Sequence, residues 1–331
     1  PLFEPGTTPD GGAGRGDLGT SSGGPAKVPA QELVPQTILV HASPDLPALR
    51  LCVAKGKSEP VPVANIMPRS NQVGVDVGGA AYLGDMRSTL VPAQQAYLVR
   101  TALTERRAKE SDPPQRHESC EFYLSFPAEQ GVDYWPVTLP QSLPATSLLV
   151  VTGCRNPTPT CPSPSLKVVP ISATESFPGM TMGSFVPLAD EVTGDVKVTV
   201  DGTVNGSGSG VVAGGKANLY EATPPRDMTL GAISNQIAFS ASISLQRNGV
   251  ELLKGTLASL AASVDATTEP ARYYGTRSLV VVALGSSVPS DEHPQRGLHL
   301  LALPLENVTT AVVDIDAGTP STEVDAGSKT D

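Results

Sequence analysis

Three side chains within five residues, His41, Ser43 and Asp45, are the types that a nucleophilic hydrolase combines. A serine loses its proton only to a histidine within hydrogen-bond reach, and a carboxylate must orient that histidine. Spacing opposes this use. In an extended chain the three would share one face, each about 7 Å from the next. Pro44 holds Ser43 extended and turns Asp45 into a bend. Serine and aspartate at a bend bond nearby backbone amides. His41, Ser43, Pro44 and Asp45 are therefore expected to be structural, with His41 packing or capping beside them, and a hydrolase built on His41 is the lesser alternative. His117 and His293 lie in polar loops, and His299 alternates with Leu298 and Leu300. None has metal-ligand spacing. Asp314-Ile315-Asp316-Ala317-Gly318 echoes the start of a calcium loop without its later ligands. The glycines of 206–210 and 214–215 do not open a helix after a strand, so they fit hairpin loops rather than a phosphate cradle. No cofactor or metal is expected. Two aromatic pairs, Tyr134-Trp135 and Tyr273-Tyr274, are candidates for binding a sugar ring or a protein surface, unless a ring anchors the core.

Cys52, Cys120, Cys154 and Cys161 form an even set, which points to disulfides in an oxidising compartment. Three connectivities are possible, and the favoured one closes the proline-rich CRNPTPTC loop as Cys154–Cys161. Cys52 would then pair with Cys120. In the chain-entropy account the short loop contributes roughly 2.5 kcal/mol and the long one roughly 4 kcal/mol.

Those groups need elements to hold them, and the elements read as strands. LRLCVA (49–54) alternates Leu49, Leu51 and Val53 with Arg50 and Cys52. QTILVH (36–41), QVGVDV (72–77), AYLVRTAL (96–103), CEFYLSF (120–126), SLLVV (147–151) and LKVVPI (166–171) follow in the first half. VKVTV (196–200), 210–213, AFSASISL (238–245), SLVVVAL (278–284) and LHLLAL (298–303) follow in the second. Asn248-Gly249 reads as a two-residue hairpin turn. The charged run 104–119, broken by Pro113-Pro114, reads as a solvated loop. The chain also repeats: 147–171 resembles 278–305, and LRLCVAKG resembles VKVTVDG (196–202).

Composition agrees. Among 331 residues glycine and proline number 32 each, and charged residues make up 17%, against about 25% in ordinary domains. Aromatics are 4%. Such a chain favours short strands and many turns over helical bundles. A net charge of −10 argues against a nucleic-acid partner. Apolar runs fall short of the ~20 residues that cross a bilayer. Residues 1–34 read as a flexible tether and 310–331 as a disordered acidic tail. The opening at Pro1 leads us to expect a removed signal peptide, with a lipid anchor upstream.

ILVHASPDLPALRLCVAKG (38–56) resembles the opening of a bacterial secreted β-sandwich family, domain-of-unknown-function family 4397. That opening reads Val-x-His-Ala-Ser-Pro-Asp-x-Pro. Val40, His41, Ala42, Ser43, Pro44, Asp45, Pro47 and Ala48 match, while Arg50 stands where the family usually has an acid and Cys52 where it often has an aromatic. The second half lacks the string. The resemblance implies an extracellular or envelope protein, often tethered, without an established activity. The expected architecture is all-β: two tandem antiparallel sandwiches, immunoglobulin-like or transthyretin-like, over 35–172 and 173–309. The expected role is non-catalytic, presenting loops or edge strands to an envelope protein or a glycan. A small-ligand carrier using a cleft between the sandwiches is the alternative.

Overall fold

The computed structural model describes residues 31–55, 59–62, 74–90, 95–110, 123–124, 127–172, 182–203, 206–228, 237–262, 278–286, 297–305 and 307–309. The fold is all-β, with four four-stranded sheets and a two-stranded ribbon among these residues.

The first half supplies β2 (Gln36–His41), β3 (Leu49–Lys55), β4 (Glu59–Pro62), β5 (Ala80–Gly84), β6 (Gln95–Arg100), β7 (Tyr134–Val137), β8 (Thr146–Thr152) and β9 (Ser165–Pro170). The second supplies β10 (Met182–Pro187), β11 (Gly194–Thr203), β12 (Gly206–Ala217), β13 (Arg226–Asp227), β14 (Ile237–Arg247), β15 (Val250–Thr256), β16 (Ser278–Leu284) and β17 (His299–Pro304). In each half an inner sheet faces an outer one. The inner sheets run β5-β2-β8-β9 and β13-β10-β16-β17, and the outer ones β4-β3-β6-β7 and β12-β11-β14-β15. Each strand of one half thus has its counterpart eight strands later. One pair per inner sheet, β2–β8 and β10–β16, is parallel, a departure from all-antiparallel sandwiches.

The correspondence reaches single hydrogen bonds. Ala42 N–H donates to Val151 O at 2.9 Å, and Leu188 N–H to Ala283 O at 2.8 Å. Ile171 N–H meets Thr146 O as Leu305 N–H meets Ser278 O. Leu49 pairs with Arg100 and Val196 with Arg247, the alignment that LRLCVAKG and VKVTVDG indicate. The other repeat is one residue off its sequence appearance. Thr146, not Ser147, occupies the position of Ser278, because β2 opens opposite Thr146 and β10 opposite Ser278.

Three apolar layers stack through the molecule. Leu39, Leu149 and Val151 face Leu51, Val53, Leu98 and Trp135 of the first outer sheet. Phe185, Val281 and Ala283 face Val198, Val200, Ile243 and Leu245 of the second. Between them the backs of the inner sheets meet: Ile38, Val40, Leu148 and Val150 lie in one cluster with Val186, Val280, Val282, Leu301 and Leu303. Strands β2, β8 and β16 are therefore buried without alternation, with uninterrupted apolar runs at their centres, as strands covered on both faces must be. Polar contacts between the halves surround this middle layer. The Tyr82 hydroxyl donates to Pro304 O at 2.8 Å, and Thr152 Oγ1 bonds the Tyr220 hydroxyl at 2.8 Å. Tyr220 holds a left-handed backbone (φ 59°), strained for a bulky residue, to bring its ring there.

Other expectations are corrected. The run 96–103 is a strand only to Arg100. Helix α2 (Thr101–Glu110) follows α1 (Arg87–Leu90) and replaces the expected loop over 104–110. TERRAKE consists mostly of good helix formers, and Leu103 buries against Cys52 and Tyr123. Tyr123 and Leu124 are helical rather than extended, the rest of 120–126 lying outside the described residues. Over 74–77 the expected strand reduces to a bridge between Val75 and Leu49. Residues 31–33, assigned to the tether by composition, form β1 (Gln31–Leu33) and pair with β18 (Asn307–Thr309). The remainder of both tails lies outside the described residues. Asn248 (φ 51°) and Gly249 (φ 79°) make the expected two-residue turn between β14 and β15. Helix α3 (Leu257–Ala262) then closes the second core with Leu257 and Leu260.

Candidate functional site

Ser43 and Asp45 of the 41–45 string reach a loop over a hundred positions away, while His41 bonds locally. After β2 the chain crosses from inner to outer sheet, pinned by the fully buried Leu46 and Leu49. His41 is buried, and its Nε2 donates to Pro47 O at 2.9 Å. Ser43, also buried, donates from Oγ to Gly153 O at 2.6 Å. The Asp45 carboxylate accepts the amides of Arg155 (2.6 Å) and Asn156 (3.3 Å). Each of the three is committed to a different backbone group. The local bend expected from sequence is thus a bond between distant loops.

That loop follows β8. Gly153 adopts φ +88°, and a Cβ there would stand 2.8 Å from Pro162 O, so the turn requires glycine. Cys154 and Cys161 are disulfide-bonded with Cα atoms 5.5 Å apart, the pairing favoured from sequence. Cys154 N–H donates to Pro162 O at 2.7 Å, and Thr158 N–H to Cys161 O at 2.7 Å. From Arg155 to Thr160 every residue is exposed. The Arg155 Nε–H reaches back to Gly131 O at 3.3 Å. Cys52 is likewise disulfide-bonded, and its expected partner Cys120 lies outside the described residues.

Two substitutions test this base. Asp45→Ala releases two amides from a charged acceptor and should cost about 1–2 kcal/mol. Ser43→Ala leaves the Gly153 carbonyl without its buried donor, at a cost of about 1–3 kcal/mol. In hydrogen exchange, Asp45→Ala should speed the Arg155 and Asn156 amides while those of β2 and β8 stay protected. Unchanged loop protection would show that Asp45 does not hold the loop.

Next to it, the 127–137 segment sorts the first aromatic pair. Trp135 is 4% exposed and belongs to the first core, so it offers no binding surface. Alternation along β7 puts Tyr134 on the other face, half-buried, edge-on to Tyr97 at 5.8 Å between ring centres. Burial pushes the Tyr97 phenol above its ordinary range, with Tyr134 adding to the effect. The folded state thus favours neutral Tyr97. The resulting stability is complete below the ordinary phenol range and is lost as pH rises through the folded value. A phenolate absorbance titration should show Tyr97→Phe removing a component that ionises above the ordinary phenol range. Tyr273 and Tyr274 lie outside the described residues.

Sequence reasoning missed Asp133. Its carboxylate is buried and salt-bridged to Arg100 at 2.6 Å, and it accepts the Glu129 amide at 3.0 Å. Arg106 of α2 stands 3.8 Å away. Arg100 and Arg155 therefore fasten the same 131–133 segment from two sides. Nothing in the local string DYWPV signals this, because the partners come from β6 and α2.

At the rim of the middle layer a pocket lined by Leu33, Ile171, Met182, Ser278 and Leu305 holds about 20 Å³, room for one water. Small-molecule sites usually run to about 300–1,000 Å³. No helix among the described residues is long and apolar enough to cross a membrane. The chain matches no known protein-family model and no curated protein.

Proposed function

We propose that this chain is a non-catalytic module of the cell envelope or extracellular space that holds out its Cys154–Cys161 loop to a protein or glycan partner. One observation carries the reading. Six consecutive exposed residues, Arg155–Thr160, are clamped at their base by a disulfide, Asp45, Ser43 and a left-handed glycine. The second half builds the same sheet order without a cysteine. The clamp is thus not what sets the sheet order, and it fastens the base of an exposed loop. Ordering such a loop beforehand removes an entropic cost of binding. The disulfide fits an oxidising compartment. The resemblance of 38–56 to the secreted family supports the same placement.

Edge strands are the weaker candidate. The edge strand β15 exposes Val250 and Leu252, but a register shift interrupts its pairing at Leu252 and Lys254 follows. Both are devices that discourage strand addition.

The test replaces 155–160 by glycine and serine while keeping both cysteines. The variant should melt within a few degrees of the parent and lose binding to glycan arrays or to intact cells of the producing organism. Equal binding by both proteins would end the proposal.

A further inference from the structure

The connection from β8 to β9 carries a run of residue types that its clamp does not explain. Among the ten residues 156–165, four are prolines and four bear a hydroxyl, and each hydroxyl residue directly follows a proline. None of the ten is charged or aromatic. The corresponding stretch of the second half, SSVPSDEHPQRG (286–297), has the charged Asp291, Glu292 and Arg296 instead. Thr158 stands between Pro157 and Pro159, and Ser163 between Pro162 and Pro164. Proline offers no amide hydrogen and keeps the residue before it extended, so such a chain stays out of helices and ladders. Thr158, Thr160 and Ser163 are exposed, whereas Ser165 opens β9 half-buried.

These hydroxyls are spare. Buried ones in this fold, such as Ser43 and Thr146, donate to backbone carbonyls. Thr158 Oγ1 instead accepts the Cys161 amide at 3.0 Å, which uses a lone pair and not the proton. Thr158 and Thr160 share one hydrogen bond between their Oγ1 atoms at 3.2 Å, so one of the two protons is left over. Among the described residues Ser163 Oγ has no partner. Serine and threonine dense among prolines, on an exposed backbone, are the acceptors that O-glycosylation uses.

We propose that Thr158, Thr160 and Ser163 are acceptors for O-linked sugar. The hydroxyl oxygen attacks the anomeric carbon of a glycosyl phosphate. The bond from that carbon to the phosphate oxygen breaks, the phosphate leaves with the electron pair, and the hydroxyl proton passes to a base of the transferase. The ether oxygen formed keeps a lone pair, so Thr158 still accepts the Cys161 amide and the turn survives. The proposal shares the loop with the reading above but does not depend on its partner. A bare loop that binds cells would end only this one, and a glycosylated loop that binds nothing only the other.

Trypsin cleaves after Arg155 and Lys167, so 156–167 comes free as one peptide once the disulfide is reduced. In protein taken from the producing organism, mass spectrometry should find this peptide heavier by whole sugar residues. Electron-transfer fragmentation should place them on one or more of Thr158, Thr160 and Ser163. The combined variant Thr158→Ala, Thr160→Ala, Ser163→Ala should lose them entirely. A peptide found only bare, a phosphoryl group in place of sugar, or sugar that persists on the variant's peptide would overturn the proposal. If the variant does not fold, the parent's peptide decides alone.

Discussion

Leu301→Asp should make the two halves melt separately. Leu301 is fully buried in the middle layer, where the two inner sheets meet through apolar side chains. A carboxylate there finds no water and no described cationic partner within the layer. It ionises at a cost of at least about 4 kcal/mol or stays protonated at a smaller one. The loss falls on the contact between the halves more than on either outer core, whose residues it does not touch. The single tryptophan makes this measurable, because Trp135 lies in the first core. In the parent, Trp135 fluorescence and far-ultraviolet circular dichroism should report one transition. In the variant the fluorescence transition should part from the second half's share of the dichroism. Coincident transitions at the parental Tm would mean that the middle layer does not couple the halves.

Phe185→Ala is the complementary case. Phe185 is fully buried on the opposite face of its strand, towards the second outer sheet. Removing the ring from a packed core costs about 3–5 kcal/mol. For a chain of this size the Tm should fall by roughly 10 °C. The middle layer is left intact, so Trp135, in the far half, should unfold at the lowered temperature too. If fluorescence kept the parental midpoint while dichroism moved, the coupling would again be absent. The two substitutions, two strands apart in the same sheet, thus separate loss of core from loss of association.

How much of this was legible in the sequence depends on whether a polar residue marks one face of a strand. Leu49, Leu51 and Val53 alternate with Arg50 and Cys52, and β3 was correctly read. The Asn248-Gly249 turn announced itself because its left-handed backbone demands those residues. SLLVV and SLVVV were recognised as strands, but their register was not legible. With both faces buried no polar residue marks a side, and a slip of one residue leaves the pattern unchanged. The same uniformity hid the middle layer itself. Ribbon strands β1 and β18 were missed because three residues carry too little pattern. Of the candidate site, the residue types of the 41–45 string were visible, and the sequence reading gave Ser43 and Asp45 bonds to nearby backbone amides. Their partners, Gly153, Arg155 and Asn156, were not visible, since pairing over such a separation follows only from the assembled sheets.

The β1–β18 ribbon has a mechanical consequence. Gln31 lies opposite Thr309, so the first and last described residues stand side by side. Tension drawn through both ends would peel that ribbon open pair by pair, in the weak unzipping direction, before it reached the stacked sheets. Hung from one end alone, the body would bear no stretch across its layers.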